Sequence, residues 1–189
     1  MKILVLDNYD SFTYNLVHIL KELSGGPVDV FRNDEISLKD VGRFDKILIS
    51  PGPGLPDQAG ITKEMINHYG ATKSILGVCL GCQAIAEVYG GSLINLEKVY
   101  HGIETNIHIL NEGNILFKGI PEVFTAGRYH SWVVSEEGLP SAITITAKDD
   151  EGSIMAVEHS NYDVRGVQFH PESVMTKHGK QILNNWLLI

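Results

Sequence analysis

Hydrophobic positions in the first half of the chain follow two alternating patterns. Residues 2–7 (KILVLD), 46–50 (KILIS) and 74–78 (SILGV) are short apolar runs rich in β-branched side chains, as in strands buried on both faces. Between them, residues 11–23 carry apolar side chains at 12, 16, 19, 20 and 23, and residues 59–70 carry them at 61, 65, 66 and 69. That spacing marks one face of a helix. Asp10 or Ser11 can cap the first helix, and Gly25-Gly26-Pro27 ends it. A third helix, LGCQAIAEVYG, opens directly after residue 79. Strand and helix in alternation predict a right-handed, doubly wound α/β fold with a mainly parallel central sheet and helices on both faces.

From Ser92 the pattern changes. Runs at 92–97, 104–110, 131–136, 143–149, 154–159 and 165–169 read as strands separated by turns, and only 179–189 reads as a helix. Antiparallel additions to the sheet are expected. No linker, internal repeat or low-complexity tract divides the chain, so residues 1–189 are expected to form a single domain.

Composition narrows the function classes. A chain of 189 residues is long enough to bury roughly 70% of its unfolded surface, so no disulfide staples are needed. The net charge of −8, without a cluster of Lys or Arg longer than two, argues against nucleic acid as a partner. The N-terminal segment lacks the apolar stretch and cleavage site of a secretion signal. No apolar run approaches the roughly 18 residues of a membrane span. An intracellular, cytoplasmic chain is expected, in which the two cysteines are catalytic, redox-active or simply buried.

In open α/β sheets ligands bind beyond the carboxyl ends of the strands. Three loops there are chemically unusual: PGPGLPDQAG after residue 50, Cys79 after residue 78, and His170-Pro171-Glu172 after residue 169. Gly77 and Gly81 bracket Cys79 in the manner of a strand-to-helix nucleophile elbow. A cysteine at a helix N-terminus is favoured as thiolate, and the Leu80 N–H is a candidate oxyanion donor. His170 can take the thiol proton, with Glu172 orienting the imidazole. Gly52 and Gly54 allow close backbone approach, while Pro51, Pro53 and Pro56 stiffen the loop. Asp57 stands where a dinucleotide fingerprint needs its third glycine, and no phosphate-cradling G-x-x-x-x-G-K-[ST] occurs. Cys79-x-x-Cys82 leaves a redox pair and a zinc site as alternatives, although the zinc deaminases order their H-x-E and C-x-x-C motifs the other way round.

Together PGPG, GVCLGCQAI and GVQFHPES resemble the class I, triad-type glutamine amidotransferases, and the resemblance runs nearly end to end. The segments LDNYDSFTYNLV, HGIET and GRYHSWVV resemble the subgroup that serves chorismate enzymes, as component II of anthranilate synthase or the glutaminase component of aminodeoxychorismate synthase. The resemblance implies a flavodoxin-like α/β fold of the class I glutamine amidotransferase type and a Cys79-His170-Glu172 triad. It also implies L-glutamine bound by Gly52, Pro53, Gly54, Leu80, Gln83, Ser131 and Trp132. The implied partner is a separate chorismate-binding synthase subunit, anthranilate synthase component I or aminodeoxychorismate synthase component I. No cofactor or metal is expected in this chain, with Mg²⁺ required only by that partner. Cys82 stands where the family commonly has histidine, and Trp132 where leucine is commoner. Cys82 is then an incidental neighbour, one turn from Cys79, able to trap it as a disulfide on oxidation. His18 and His68 are expected to be ordinary helix residues, and His130 a glutamine-side or interface residue. Asn8, Tyr9, Asp10 and Ser11 face the same sheet edge, as capping or partner-docking groups.

Overall fold

The computed structural model describes residues 1–111 and 113–189. Its centre is a nine-stranded sheet. Five strands are parallel: β1 (Ile3–Asp7), β2 (Val28–Arg32), β3 (Lys46–Ile49), β4 (Ser74–Val78) and β11 (Val164–Val167), in the order β2-β1-β3-β4-β11. Beyond β11 the sheet continues antiparallel through β10 (Ile154–His159), β9 (Ile143–Asp149), β6 (Ile103–Ile109) and β7 (Val123–Arg128). A separate ribbon pairs β5 (Leu93–Asn95) with β8 (Trp132–Val134).

Strand alternation sends side chains to two cores. Ile3 and Val5 of β1 pack with Leu16, Val17 and Leu20 of α1 (Thr13–Ser24) and with Ile182, Leu183 and Trp186 of α5 (Gly179–Leu187). Leu4 and Leu6 point the other way, joining Val41 of α2 (Leu38–Val41), Met65 and Ile66 of α3 (Thr62–Tyr69) and Ala84 and Ile85 of α4 (Leu80–Val88). This is the α/β architecture expected, with helices on both faces of a mainly parallel sheet.

Two strands and one α-helix lie outside the predicted set. β2 is an edge strand whose burial falls from Val28 to an exposed Arg32, so it has no apolar run. β7 is interrupted by Thr125 and Gly127 and ends on the buried Arg128. α2 is a single turn, begun by Ser37, whose Oγ accepts from Asp40 N–H.

The start of α1 differs from expectation. Its first flanking residue is Phe12, which makes no side-chain cap. Asp10 folds into a local turn instead, its Oδ1 accepting the Phe12 N–H at 2.7 Å, and Ser11 is an exposed loop residue. Gly25 does end the helix, with φ 62°.

Candidate active site

The carboxyl ends of the parallel strands are tied together by Asn8, directly after β1. Its Nδ2 donates to Ser50 O at 2.9 Å, and its Oδ1 accepts from Asn33 Nδ2 at 2.9 Å and from Thr62 Oγ1 at 3.0 Å. The loops after β1, β2 and β3 are thereby fixed to one another. A Cβ at Gly52 would stand 2.6 Å from both Cβ and O of Asn8, which is why glycine opens this part of the loop. Gly54, at φ 74°, adopts a conformation that suits glycine.

Cys79 sits between β4 and α4 with φ 52° and ψ −103°, a strained backbone that presents its side chain at the sheet edge. The bracketing glycines permit this turn. A Cβ at Gly77 would approach Cys82 N at 2.7 Å, and one at Gly81 would meet Ile49 O at 2.8 Å. The Cys79 N–H is taken by Val167 O of β11 at 2.8 Å. Leu80, the first residue of α4, has no intrahelical acceptor for its own N–H, which leaves that donor beside the thiol.

His170 follows β11. Its N–H donates to Gly127 O at 3.0 Å, and Thr176 Oγ1 donates to its carbonyl at 2.6 Å, so the 170–176 loop is laid against β7. Nδ1 lies 2.6 Å from Glu172 Oε1, both side chains being buried, while Nε2 makes no hydrogen bond and is left for the sulfur. Burial alone would disfavour the charged imidazole. The Cys79 sulfur and the Glu172 carboxylate outweigh it and push His170 up to about 10.

A cavity of about 190 Å³ opens beside Cys79, and Gly52, Pro53, Gly54, Leu80, Gln83, Ser131 and Trp132 all line it. All seven residues expected to contact glutamine therefore share one space with the thiol. It is too small for a drug-sized ligand and suits an amino acid. A second, more open cleft of about 390 Å³ reaches Cys79 and His170 from the side of Tyr9, Asp10 and Ser11. His18 and His68 are exposed helix residues, and His130 lines the smaller cavity.

Two further residues meet the triad without a sequence signal of their own. Gln168 donates Nε2 to Cys79 Sγ at 3.5 Å, and its Oε1 accepts from Gln83 Nε2 at 3.2 Å. Gln83 also donates to Trp132 O at 2.8 Å, joining α4 to the far wall. Tyr129 packs edge-on to the His170 ring, with 4.8 Å between centroids. Among the described residues, no three His, Cys, Asp or Glu side chains cluster as metal ligands.

The two cysteines pack into different cores. Cys79 belongs to the core on the α1 and α5 face, whereas Cys82 is fully buried in the core on the opposite face. Cys82 packs against Gly166, where an added Cβ would lie 2.8 Å from its Sγ, and burial holds its thiol strongly protonated. Both thiols are free.

Residues 4–189 match the family described as glutamine amidotransferase class-I. The chain belongs to this family. It is 47% identical over 187 residues to the "Aminodeoxychorismate/anthranilate synthase component 2" of Bacillus subtilis, covering 98% of this chain and 95% of the relative. It is 46% identical to the "Aminodeoxychorismate synthase component 2" of Escherichia coli, covering 98% of each. To the "Anthranilate synthase component 2" of Mycobacterium tuberculosis it is 43% identical, covering 99% of this chain and 82% of the relative. Among solved structures, a putative GMP synthase subunit from Thermoplasma acidophilum superposes with a TM-score of 0.88 at 27% identity, covering 99% of this chain and 92% of that one. As a glutamine amidotransferase, the chain is an enzyme whose ammonia source is a carboxamide.

Proposed function

We propose that the chain is the glutaminase subunit of a chorismate-using synthase, hydrolysing L-glutamine to glutamate and handing ammonia to a separate synthase subunit. The observation that carries this reading is Cys79 on its elbow, with the His170–Glu172 pair beside it, at the edge of a cavity bounded by the glycines of the PGPG loop. Cys79 thiolate attacks the carboxamide carbon, and the oxyanion is received by the Leu80 N–H and by the PGPG loop, where only Gly52 and Gly54 carry N–H groups. His170, charged at neutral pH, gives its proton to the departing nitrogen, so ammonia leaves and a thioester remains. Water then attacks the thioester carbonyl while His170 takes back a proton. Glutamate leaves and the thiolate is restored. Glu172 holds the imidazole in place throughout.

Relatives named for anthranilate synthase, for aminodeoxychorismate synthase and for both share the "component 2" designation, which supports a component I partner that binds chorismate. The primary reading is the anthranilate enzyme of tryptophan synthesis. The aminodeoxychorismate enzyme of folate synthesis, or service to both, is the second, and the double name of the Bacillus subtilis relative favours including it. Neither reading gives this chain a cofactor or metal; Mg²⁺ belongs to the partner's reaction. The test is glutamate release by wild type and Cys79→Ser, alone and with each component I plus chorismate. Cys79-dependent activity that rises with the anthranilate component I supports the primary reading. A rise only with the aminodeoxychorismate component I moves the chain to folate synthesis, and no activity with either ends the proposal.

A further inference from the structure

The mechanism gives no task to His130, the imidazole that lines the smaller cavity. Its ring stacks on Tyr100, with centroids 5.6 Å apart and 26° between planes, and its Nε2 accepts a hydrogen bond from Arg128 Nε at 3.1 Å. Arg128 is itself fully buried, paired with Asp149 at 2.5 Å and lying 3.6 Å over the Tyr100 ring. Because the guanidinium stays protonated, the imidazole that accepts from it must carry its own proton on Nδ1. That Nδ1 is buried from solvent, and the Trp132 backbone is the hydrogen-bonding group that favours its proton.

The groups around the ring favour the uncharged form. Burial, the Arg128 cation and the His170 cation bring His130 down to about 3, against the opposing hydrogen bond with the Trp132 backbone. Asp149 is engaged by Arg128, and Glu151 by the Tyr100 hydroxyl at 2.8 Å, so no free carboxylate faces the ring. The backbone that follows is pinned on three sides: His130 O accepts from Tyr100 N–H at 2.9 Å, Ser131 O from Leu96 N–H at 2.7 Å, and Trp132 O from Gln83 Nε2 at 2.8 Å.

We propose that His130 is a substrate-positioning residue: locked by Arg128 as the neutral Nδ1–H form, it turns that buried donor toward the Trp132 backbone and holds the Ser131–Trp132 wall against the cavity. The inference rests on the glutaminase reading, and it leaves His170 as the one charged imidazole at the site. In the complex with the synthase subunit, His130→Phe keeps a ring and removes the donor, so KM for glutamine should rise about tenfold with kcat within about threefold of wild type. His130→Asn, whose amide nitrogen reaches the Nδ1 position, should bring KM back to within about threefold. An unchanged KM in His130→Phe, or a loss confined to kcat, overturns the proposal.

A second readout needs no activity. In ¹⁵N NMR of the wild-type chain the His130 ring should be protonated at Nδ1 and bare at Nε2, with no titration between about pH 5 and 8. An ordinary midpoint near 6.5 or an Nε2–H form overturns the proposal even if His130→Phe does not fold. Failure of the glutaminase reading would show instead as Cys79-independent or absent glutamate release.

Discussion

At the scale of single residues, the site is defined by how three side chains share charge. His170 is lifted from 6.5 to about 10, so the folded protein holds this proton more tightly than the unfolded chain. The resulting stabilisation is fully present below about pH 6.5 and is lost as pH rises through about 10. Glu172→Gln removes one of the two groups that raise it, so its upper limit falls. In urea unfolding across this range, the stability gap between wild type and Glu172→Gln should be widest at the acid end and shrink toward pH 10; a gap constant with pH would contradict this. The Cys82 thiol, buried and held protonated on the far side of the sheet, should stay unmodified when Cys79 reacts. Mass spectrometry of peroxide-treated protein should find Cys79 oxidised and no Cys79–Cys82 disulfide, and finding that disulfide would show that α4 can open. Cys79, His170 and Glu172 were legible in the sequence because each follows a recognisable strand. Gln168 and Tyr129 were not, since their roles depend on which side chain lies across the sheet edge.

At the scale of elements, the elbow depends on α4 lying unusually close to β3 and β4. Gly81→Ala tests this, because two effects oppose each other. Alanine is a better helix former than glycine by about 1 kcal/mol. Against that, the new Cβ meets Ile49 O at 2.8 Å and Ile49 Cβ at 2.9 Å, neither being the free end of a flexible side chain. Overpacking of this kind costs typically about 1–3 kcal/mol, and more where backbone must shift. The clash should win, lowering Tm by several degrees and reducing glutamine turnover through displacement of Cys79; an unchanged or higher Tm would refute the close-packing account. The same closeness explains why apolar periodicity located the parallel strands well and other elements poorly. β3 and β4 are covered on both faces and read as apolar runs, whereas β2 is half-exposed and β7 carries a buried arginine whose partner, Asp149, lies 21 positions away in the chain. An ion pair of that separation leaves no local pattern.

At the scale of the whole molecule, the parallel and antiparallel halves are interlocked. β11, from the second half, pairs in parallel with β4 of the first, matching Val164 to Ile75 and Val167 to Val78. α5 returns to cover β1, putting Trp186 in one core with Ile3 and Val5, and the buried Lys46 Nζ of β3 donates to Trp186 O at 3.0 Å. The nucleophile comes from the first half and its imidazole and carboxylate from the second, so no cut leaves a complete site. A chain built this way should unfold as one unit. Calorimetry should show a single transition with matching calorimetric and van't Hoff enthalpies, and a fragment ending at Gly91 should remain unfolded, because it exposes the β4 edge and loses the α5 cover over β1. Two resolved transitions, or a folded fragment, would mean that the antiparallel half is a separate domain docked on the site.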